Sequence, residues 1–284
     1  MAATSAEDTL VAQVIAAYAR TDNPRWNEVL EPLLRHLHAF AREVRLSPEE
    51  WFAAIEFLTR TGQTCVGPRQ EFILLSDTLG LSSAVDDLTN AGSGGATDSA
   101  VTGPFYAPHS PWIENGDSIA LAGGGELALI TGTVRNSDGI AVGGALLDIW
   151  QTSPNKLYAV QDPAQPEMNC RGKLLSREDG SFEFRTFKPV SYPVPVDGPV
   201  GILLQKAGRH PMRPAHMHFT ISAAGHRTVT TQLFTRDDAY IDSDAVFGVK
   251  TSLLVDYTRV RERDDGIVWT LAHDFVLAPV PPDA

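Results

Sequence analysis

Two histidines two residues apart carry the sharpest chemical signal in the chain: His216 and His218, in Arg213-Pro214-Ala215-His216-Met217-His218-Phe219. On a β-strand, side chains at i and i+2 leave the same face, so the two imidazoles point one way, close enough to share an ion. That is half of a metal site, although the same spacing alone more often means two half-exposed histidines on a sheet. Zinc would need a third His, Cys or carboxylate. A cupin-type site would need a Glu shortly after the second His, and the next one is Glu262. A two-His, one-carboxylate iron(II) site would draw on Asp237 or Asp238. The neighbourhood also offers tyrosines. Only six occur, and two sit in polar, Pro-rich loops: Tyr158 in Ser153-Pro154-Asn155-Lys156-Leu157-Tyr158, and Tyr192 in Lys188-Pro189-Val190-Ser191-Tyr192-Pro193-Val194-Pro195. A phenol, with an ordinary pKa of about 10, ligates a hard and strongly Lewis-acidic cation, and iron(III) fits. Taken singly, each tyrosine reads as a packed loop anchor.

Two kinds of element must position these groups. Residues 1–90 hold three of the 23 glycines and four of the 19 prolines, and they read as helices. Leu10, Val11, Val14, Ile15 and Tyr18 recur at helical spacing over 7–20, as do Val29, Leu33, Leu37 and Phe40 over 26–44. Ser47-Pro48-Glu49-Glu50 is a helix start with a Ser cap, Pro in the first turn and Glu three residues after the cap. Pro68 opens a further helix running toward Leu79, and Asn90 to Ala100 is a Gly/Ser-rich loop. Short strands then alternate with turns: 127–134, 145–150, 171–176, 182–187, 216–222, 228–234 and 267–276. Asn136-Ser137-Asp138-Gly139, Glu178-Asp179-Gly180 and Ala224-Gly225 punctuate them. The expectation is an α+β chain. A helical N-terminal domain, 1–95, precedes a mostly antiparallel β-sandwich, 96–284.

Composition narrows the function classes. With 23 basic and 35 acidic residues the net charge is −12, which argues against a broad nucleic-acid or anionic-membrane surface. An anionic small substrate stays open, because a metal or one placed Arg reverses the sign locally. No apolar run is long enough to span a membrane. The first residues lack the basic-then-apolar pattern of a secretory leader. Cys65 and Cys170 lie far apart without CxxC spacing, so a reduced, cytoplasmic protein is expected.

Taken together, the motifs resemble a family. Gly103-Pro104-Phe105-Tyr106, Asp148-Ile149-Trp150, Tyr158, Arg171-Gly172-Lys173, Tyr192-Pro193-Val194-Pro195, the His216/His218 run and Thr231-Gln232 look like the intradiol ring-cleavage dioxygenases, from about residue 10 to about 275. The likeness is closest to those acting on hydroxyquinol, carried by Gln70 to Gly80, Asp162-Pro163, Met168-Asn169, Asp197 to Gly201, Gly208 to Pro211 and Val246 to Val249. The resemblance implies one non-haem iron(III) per subunit held by Tyr158, Tyr192, His216 and His218. It implies O2 and an ortho-diphenol as substrates. It also places Arg213, Tyr192 and Gln232 in catalysis, Tyr192 being the ligand expected to leave and take a proton. The implied pocket is Leu74, Asp77, Val101, Thr102, Gly103, Pro104, Phe105, Val194, Pro195, Arg213 and Val246, with Asp77 reaching a third ring hydroxyl. Thr102 departs from the bulkier apolar residue expected there. The N-terminal helices are expected to form a homodimer. Catechol or chlorocatechol is the alternative substrate. A transthyretin-like binding module, suggested by Thr131 to Val134 with Asp148 to Trp150, is the non-enzymatic alternative.

Overall fold

Local capping rules start the helices. In the computed structural model, which describes residues 6–67, 69–90, 94–261 and 264–280, five helices come first. They are α1 (Ala6–Tyr18), α2 (Pro24–Glu43), α3 (Pro48–Thr64), α4 (Glu71–Thr78) and α5 (Leu81–Asn90). Asn23 caps α2, its Oδ1 accepting from the backbone N–H groups of Arg25 and Trp26. Before α3 the expected capping box is formed: the Glu50 N–H donates to Ser47 Oγ at 3.2 Å, and the Ser47 N–H donates to Glu50 Oε2 at 2.9 Å. The helix expected from Pro68 begins at Glu71, and Pro68 lies outside the described residues. α5 has no counterpart in the sequence expectation. Its Ser and Asp content disfavours helix interiors, and packing against α4 supports it instead.

The remaining elements are β1 (Leu127–Asn136), β2 (Leu146–Trp150), β3 (Arg171–Leu175), β4 (Ser181–Phe187), β5 (Tyr192–Pro193) and α6 (Pro199–Lys206). After α6 come β6 (Met212–Arg213), β7 (His216–Ser222), β8 (Val229–Thr235), β9 (Leu254–Val255), β10 (Thr258–Arg259), β11 (Ile267–Ala272) and β12 (Phe275–Leu277). The run expected as one strand over 267–276 is two. The regular pairing lapses at His273 and Asp274, where the His273 N–H still donates to the Thr131 carbonyl and Asp274 Oδ1 accepts the Thr133 N–H, and β12 then pairs with β1 further along.

The chain divides by contact into two units, up to Arg60 and from Thr61. In the first, α1 packs on α2, and α2 leaves Trp26, Val29, Leu33, Leu37 and Phe40 exposed along one helical stripe. In the second, two five-stranded sheets enclose the core. One has the order β10-β11-β1-β12, with β4 on the other edge of β1; the other runs β3-β2-β7-β8-β9. The expectation of mostly antiparallel sheets is corrected. The sheets are mixed, because β1 pairs in parallel with β11 and β12, and β8 with β9. Long connections bring these late strands in beside their partners in the same direction.

Alternation sorts the second sheet's side chains. Met217, Phe219 and Ile221 of β7, Leu147 and Ile149 of β2 and Leu233 of β8 join the core with Ile130, Phe182, Phe184 and Phe275 of the other sheet. Their neighbours leave the opposite face. At one crossing there is no room for a side chain. A Cβ on Gly132 would collide with the His273 carbonyl oxygen and the Phe182 ring. Gly132→Ala should therefore cost about 3 kcal/mol or more in urea unfolding. A loss within experimental error would contradict this packing.

Candidate active site

The outer face of the β3-β2-β7-β8-β9 sheet carries one lateral row. Gln232 lies opposite His218, His218 opposite Trp150, and Trp150 opposite Arg171. His216 lies one row away, opposite Phe234. Trp150 stacks flat on His218, with ring centroids 4.8 Å apart and planes at 8°. Two loops bring in the phenols. Tyr158 precedes a single 3-10 turn, where its N–H donates to Gln161 Oε1 at 3.0 Å, and Phe105 stacks on its ring at 4.8 Å. Tyr192 is the cross-strand partner of Arg213 in the β5–β6 ribbon.

Four donor atoms meet there. Tyr158 Oη stands 3.1 Å from Tyr192 Oη, Tyr192 Oη 3.4 Å from His216 Nε2, and His216 Nε2 3.2 Å from His218 Nε2. Atoms about 2.0–2.2 Å from one ion and roughly 90–110° apart at it stand about 3–3.5 Å from each other, so the spacings are edges of a coordination polyhedron. His216 Nδ1 lies 2.7 Å from the Pro214 carbonyl; as the donor there, it leaves the Nε2 lone pair for an ion. Burial, then the Arg213 charge, lowers the His216 pKa to about 3. Burial, His216 and Arg213 hold His218 well below its ordinary value too. Burial holds both phenols above theirs. Two neutral imidazoles and two phenols that ionise only beside a cation form a hard O2N2 set suited to iron(III). The carboxylate alternatives do not join it. Asp238 Oδ2 accepts from Ser191 Oγ and the Ala215 N–H, and Asp237 is exposed, with Lys188 4.0 Å away. Among the described residues, no cluster of three or more His, Cys, Asp or Glu could hold a metal.

A narrow cavity opens onto three of the donors, Tyr158, Tyr192 and His218. Its lining brings together all eleven residues expected of a pocket: Leu74 and Asp77 from α4, the 101–105 segment, Val194, Pro195, Arg213 and Val246. Trp150, Tyr158, Tyr192 and His218 complete the wall. Asp77, Val101, Thr102 and Gly103 also border an open groove beside α4 and α5, so they form the lip. A wider cleft past Arg209 and Arg236 reaches Asp244 but none of the four donors.

Arg213 is buried. Its Nη1 lies 3.1 Å from His216 Nε2, and its Nη2 donates to Gln232 Oε1 at 3.0 Å. Gln232 Nε2 donates in turn to the Val101 carbonyl at 2.6 Å, so this side chain ties Arg213 to the lip rather than touching a donor. Nε and Nη2 of Arg213 donate to Asp244 at 3.1 Å each. Burial alone would lower the Arg213 pKa, but Asp244 and Tyr192 hold it above its ordinary value. Sequence reasoning missed Asp244. It is one of several acids in Arg236 to Lys250, and nothing there marks the one that meets Arg213. Trp150 was visible in Asp148-Ile149-Trp150 but not as part of the wall.

The chain is similar to known proteins along most of its length. Residues 101–279 match the family described as Dioxygenase, and 23–97 match Catechol dioxygenase N terminus. A hydroxyquinol 1,2-dioxygenase of a Rhizobium species is 45% identical, over 96% of this chain and 95% of that one. A 6-chlorohydroxyquinol 1,2-dioxygenase of Cupriavidus pinatubonensis is 46% identical, over 96% and 98%. The solved hydroxyquinol 1,2-dioxygenase of Pseudomonas putida superposes with a TM-score of 0.91 at 45% identity, over 96% and 99%.

Asp77 offers a test of the site without any ligand. Burial raises its pKa most; Ser82 and Arg213 pull it down, and Asp244 pushes it up again. A carboxyl that holds its proton more tightly when folded favours folding at low pH, and it costs stability as pH rises past its unfolded value of about 3.9. Asp77→Asn should therefore raise the Tm at about pH 7, with the gain closing below about pH 4. A variant no more stable than the parent at neutral pH would contradict this.

Proposed function

The chain belongs to the intradiol ring-cleavage dioxygenase family, and on that premise we propose that it cleaves hydroxyquinol, benzene-1,2,4-triol, between its two adjacent hydroxyl-bearing carbons. The product is 3-hydroxy-cis,cis-muconate, which tautomerises to maleylacetate. The observation that carries the substrate assignment is Asp77, a buried carboxyl in the lining of the cavity that opens onto Tyr158, Tyr192 and His218. Relatives at 45% and 46% identity that act on hydroxyquinol and its 6-chloro derivative support the same reading.

Members of this family use non-haem iron. Here Tyr158, Tyr192, His216 and His218 would hold one iron(III) per subunit, which supplies the Lewis acidity that binds an ortho-diphenolate and opens it to O2. The chain's own residues do the rest. Leu74, Pro104, Phe105, Val194, Pro195 and Val246 enclose the ring and exclude water. Tyr192, ionised where it would hold the iron, has its Oη facing the cavity and as tyrosinate would take up one phenolic proton of the arriving substrate. The Arg213 guanidinium, fixed in the same wall, stabilises negative charge developing on the ring. Gln232 holds Arg213 to the backbone of the lip. Asp77 accepts from the third hydroxyl, and Thr102 at the lip sets how much room the substituent side has. Residues 96–284 would be the catalytic domain. Residues 1–95 would supply the substrate-side helix and, through the exposed stripe of α2, a homodimer interface. Two free cysteines suit a reducing cytoplasm.

Three measurements check this reading. The iron-loaded protein should be red to burgundy through tyrosinate-to-iron(III) charge transfer, and Tyr158→Phe should bleach or shift that colour and abolish turnover. A colourless protein with stoichiometric zinc would falsify the ligand assignment. The protein should sediment as a dimer, and a monomer at micromolar concentration would rule that out. For hydroxyquinol, kcat/KM should exceed that for catechol by at least about tenfold, or about 1.4 kcal/mol, the scale of one hydrogen bond. Asp77→Asn should narrow that preference more than it lowers activity on catechol. Equal turnover of catechol or 4-chlorocatechol would overturn the substrate and leave intradiol cleavage standing.

A further inference from the structure

Arg213 is gripped by a carboxylate that is not part of the cavity wall. Asp244 Oδ1 accepts the Arg213 Nε–H at 3.1 Å and the Val246 N–H at 3.2 Å. Its Oδ2 accepts an Arg213 Nη2–H at 3.1 Å and the Gly248 N–H at 3.0 Å. Both oxygens therefore serve two masters: the guanidinium and the turn 244–248. The turn closes with Phe247 at φ 55°, in the left-handed region, and its N–H bonded to the Asp244 carbonyl. Gly248 passes so near that a Cβ there would stand 2.9 Å from Arg213 Nη2 and 3.3 Å from Asp244 Oδ2.

We propose that Asp244 is a positioning residue for ring cleavage, fixing the Arg213 guanidinium and the Val246 wall of the cavity in one register. The inference rests on the role given above to Arg213. A planar fork held along its Nε/Nη2 edge cannot rotate, so Nη1 is aimed at the donor cluster, 3.1 Å from His216 Nε2. Gln232 reaches Nη2 alone, which would leave the plane free to turn. Val246 lines the cavity, and its backbone hangs from the same carboxylate. Width of the ring slot and position of the charge are thereby set together. Stability does not account for the pair, since a buried ion pair is often no more stabilising than apolar residues of the same volume.

The test uses the full-length, iron-loaded protein with hydroxyquinol, comparing Asp244→Asn, Arg213→Gln, the double variant and Gly248→Ala. Asp244→Asn should keep its iron and colour while kcat falls about 10–100-fold and KM moves far less. The double variant should lie within about threefold of Arg213→Gln, because both changes act through one guanidinium. Gly248→Ala keeps the Asp244 carboxylate but crowds the held guanidinium at Nη2, so it too should lower kcat with iron content intact. If Asp244→Asn does not fold, Gly248→Ala decides. In the metal-free protein, the Arg213 Nε–H should give an exchange-protected NMR signal that Asp244→Asn abolishes. Wild-type kcat in Asp244→Asn or in Gly248→Ala, multiplicative losses in the double variant, or an unprotected Nε–H would overturn the proposal. Wild-type kcat in Arg213→Gln would instead overturn the role of Arg213 itself.

Discussion

Successive residues of β7 must leave the sheet on opposite faces, and the arrangement of core and site hangs on that parity. Met217, Phe219 and Ile221 go into the sandwich core, which sends His216 and His218 to the outer face. A register slip of one residue would exchange them, burying two imidazoles among phenylalanines and exposing the core, so the hydrophobic effect itself guards the donor geometry. The same parity spreads sideways. Leu147 and Ile149 of β2 point inward, leaving Asp148 and Trp150 outside, and Leu233 of β8 points inward, leaving Gln232 outside. The sheet therefore delivers half of the donor set and the aromatic floor under it. The phenols come from loops and need their own supports: Gln161 and Phe105 at Tyr158, and the short ribbon to Arg213 at Tyr192.

That architecture creates an electrostatic problem and resolves most of it internally. Arg213, Asp244, His216, His218, Tyr158 and Tyr192 are all buried. Of these, the guanidinium and Asp244 carry opposite charges in direct contact, and the Asp244 pKa, which burial alone would raise, is held below its ordinary value by Arg213. The imidazoles and phenols stay neutral because the surroundings penalise charge on them. A trivalent cation would invert that penalty at the phenols, so a loaded form would differ from the ion-free one by more than one bound ion: the phenol protons would have to leave as it arrived.

How much of this was legible in the sequence follows from the range of the interactions. Capping at Ser47 and strand alternation at His216–Ser222 are local, and both stand in the structure as read. The helix α5 and the split of 267–276 into β11 and β12 depend on packing partners far along the chain, which no window of sequence contains. The pocket residues were reached through resemblance rather than spacing. Leu74 and Val246 share a wall although they are distant in the chain, and no periodicity connects them. Asp244 lay beyond both kinds of reading, since its significance is a contact to a residue 31 positions away.

The cavity's neighbourhood holds two buried carboxylates with opposite fates, and hydrogen-bonding capacity explains the division. A carboxylate offers about four acceptor positions. Asp244 uses them on Arg213 twice, Val246 and Gly248, so it has none left for a ligand and acts only through what it holds. Asp77 sits in the cavity lining, and its burial raises its pKa more than Ser82 and the Arg213 charge lower it. A buried carboxyl with acceptor capacity to spare is costly until a partner arrives, and on the proposed function a ring hydroxyl would be that partner. On the proposed function, the charge that would serve the reaction is thus saturated and rigid, while the group that would read the substituent keeps acceptor capacity for it. Specificity can then change at α4 and the lip without disturbing the guanidinium that the sheet and the 244–248 turn hold in place.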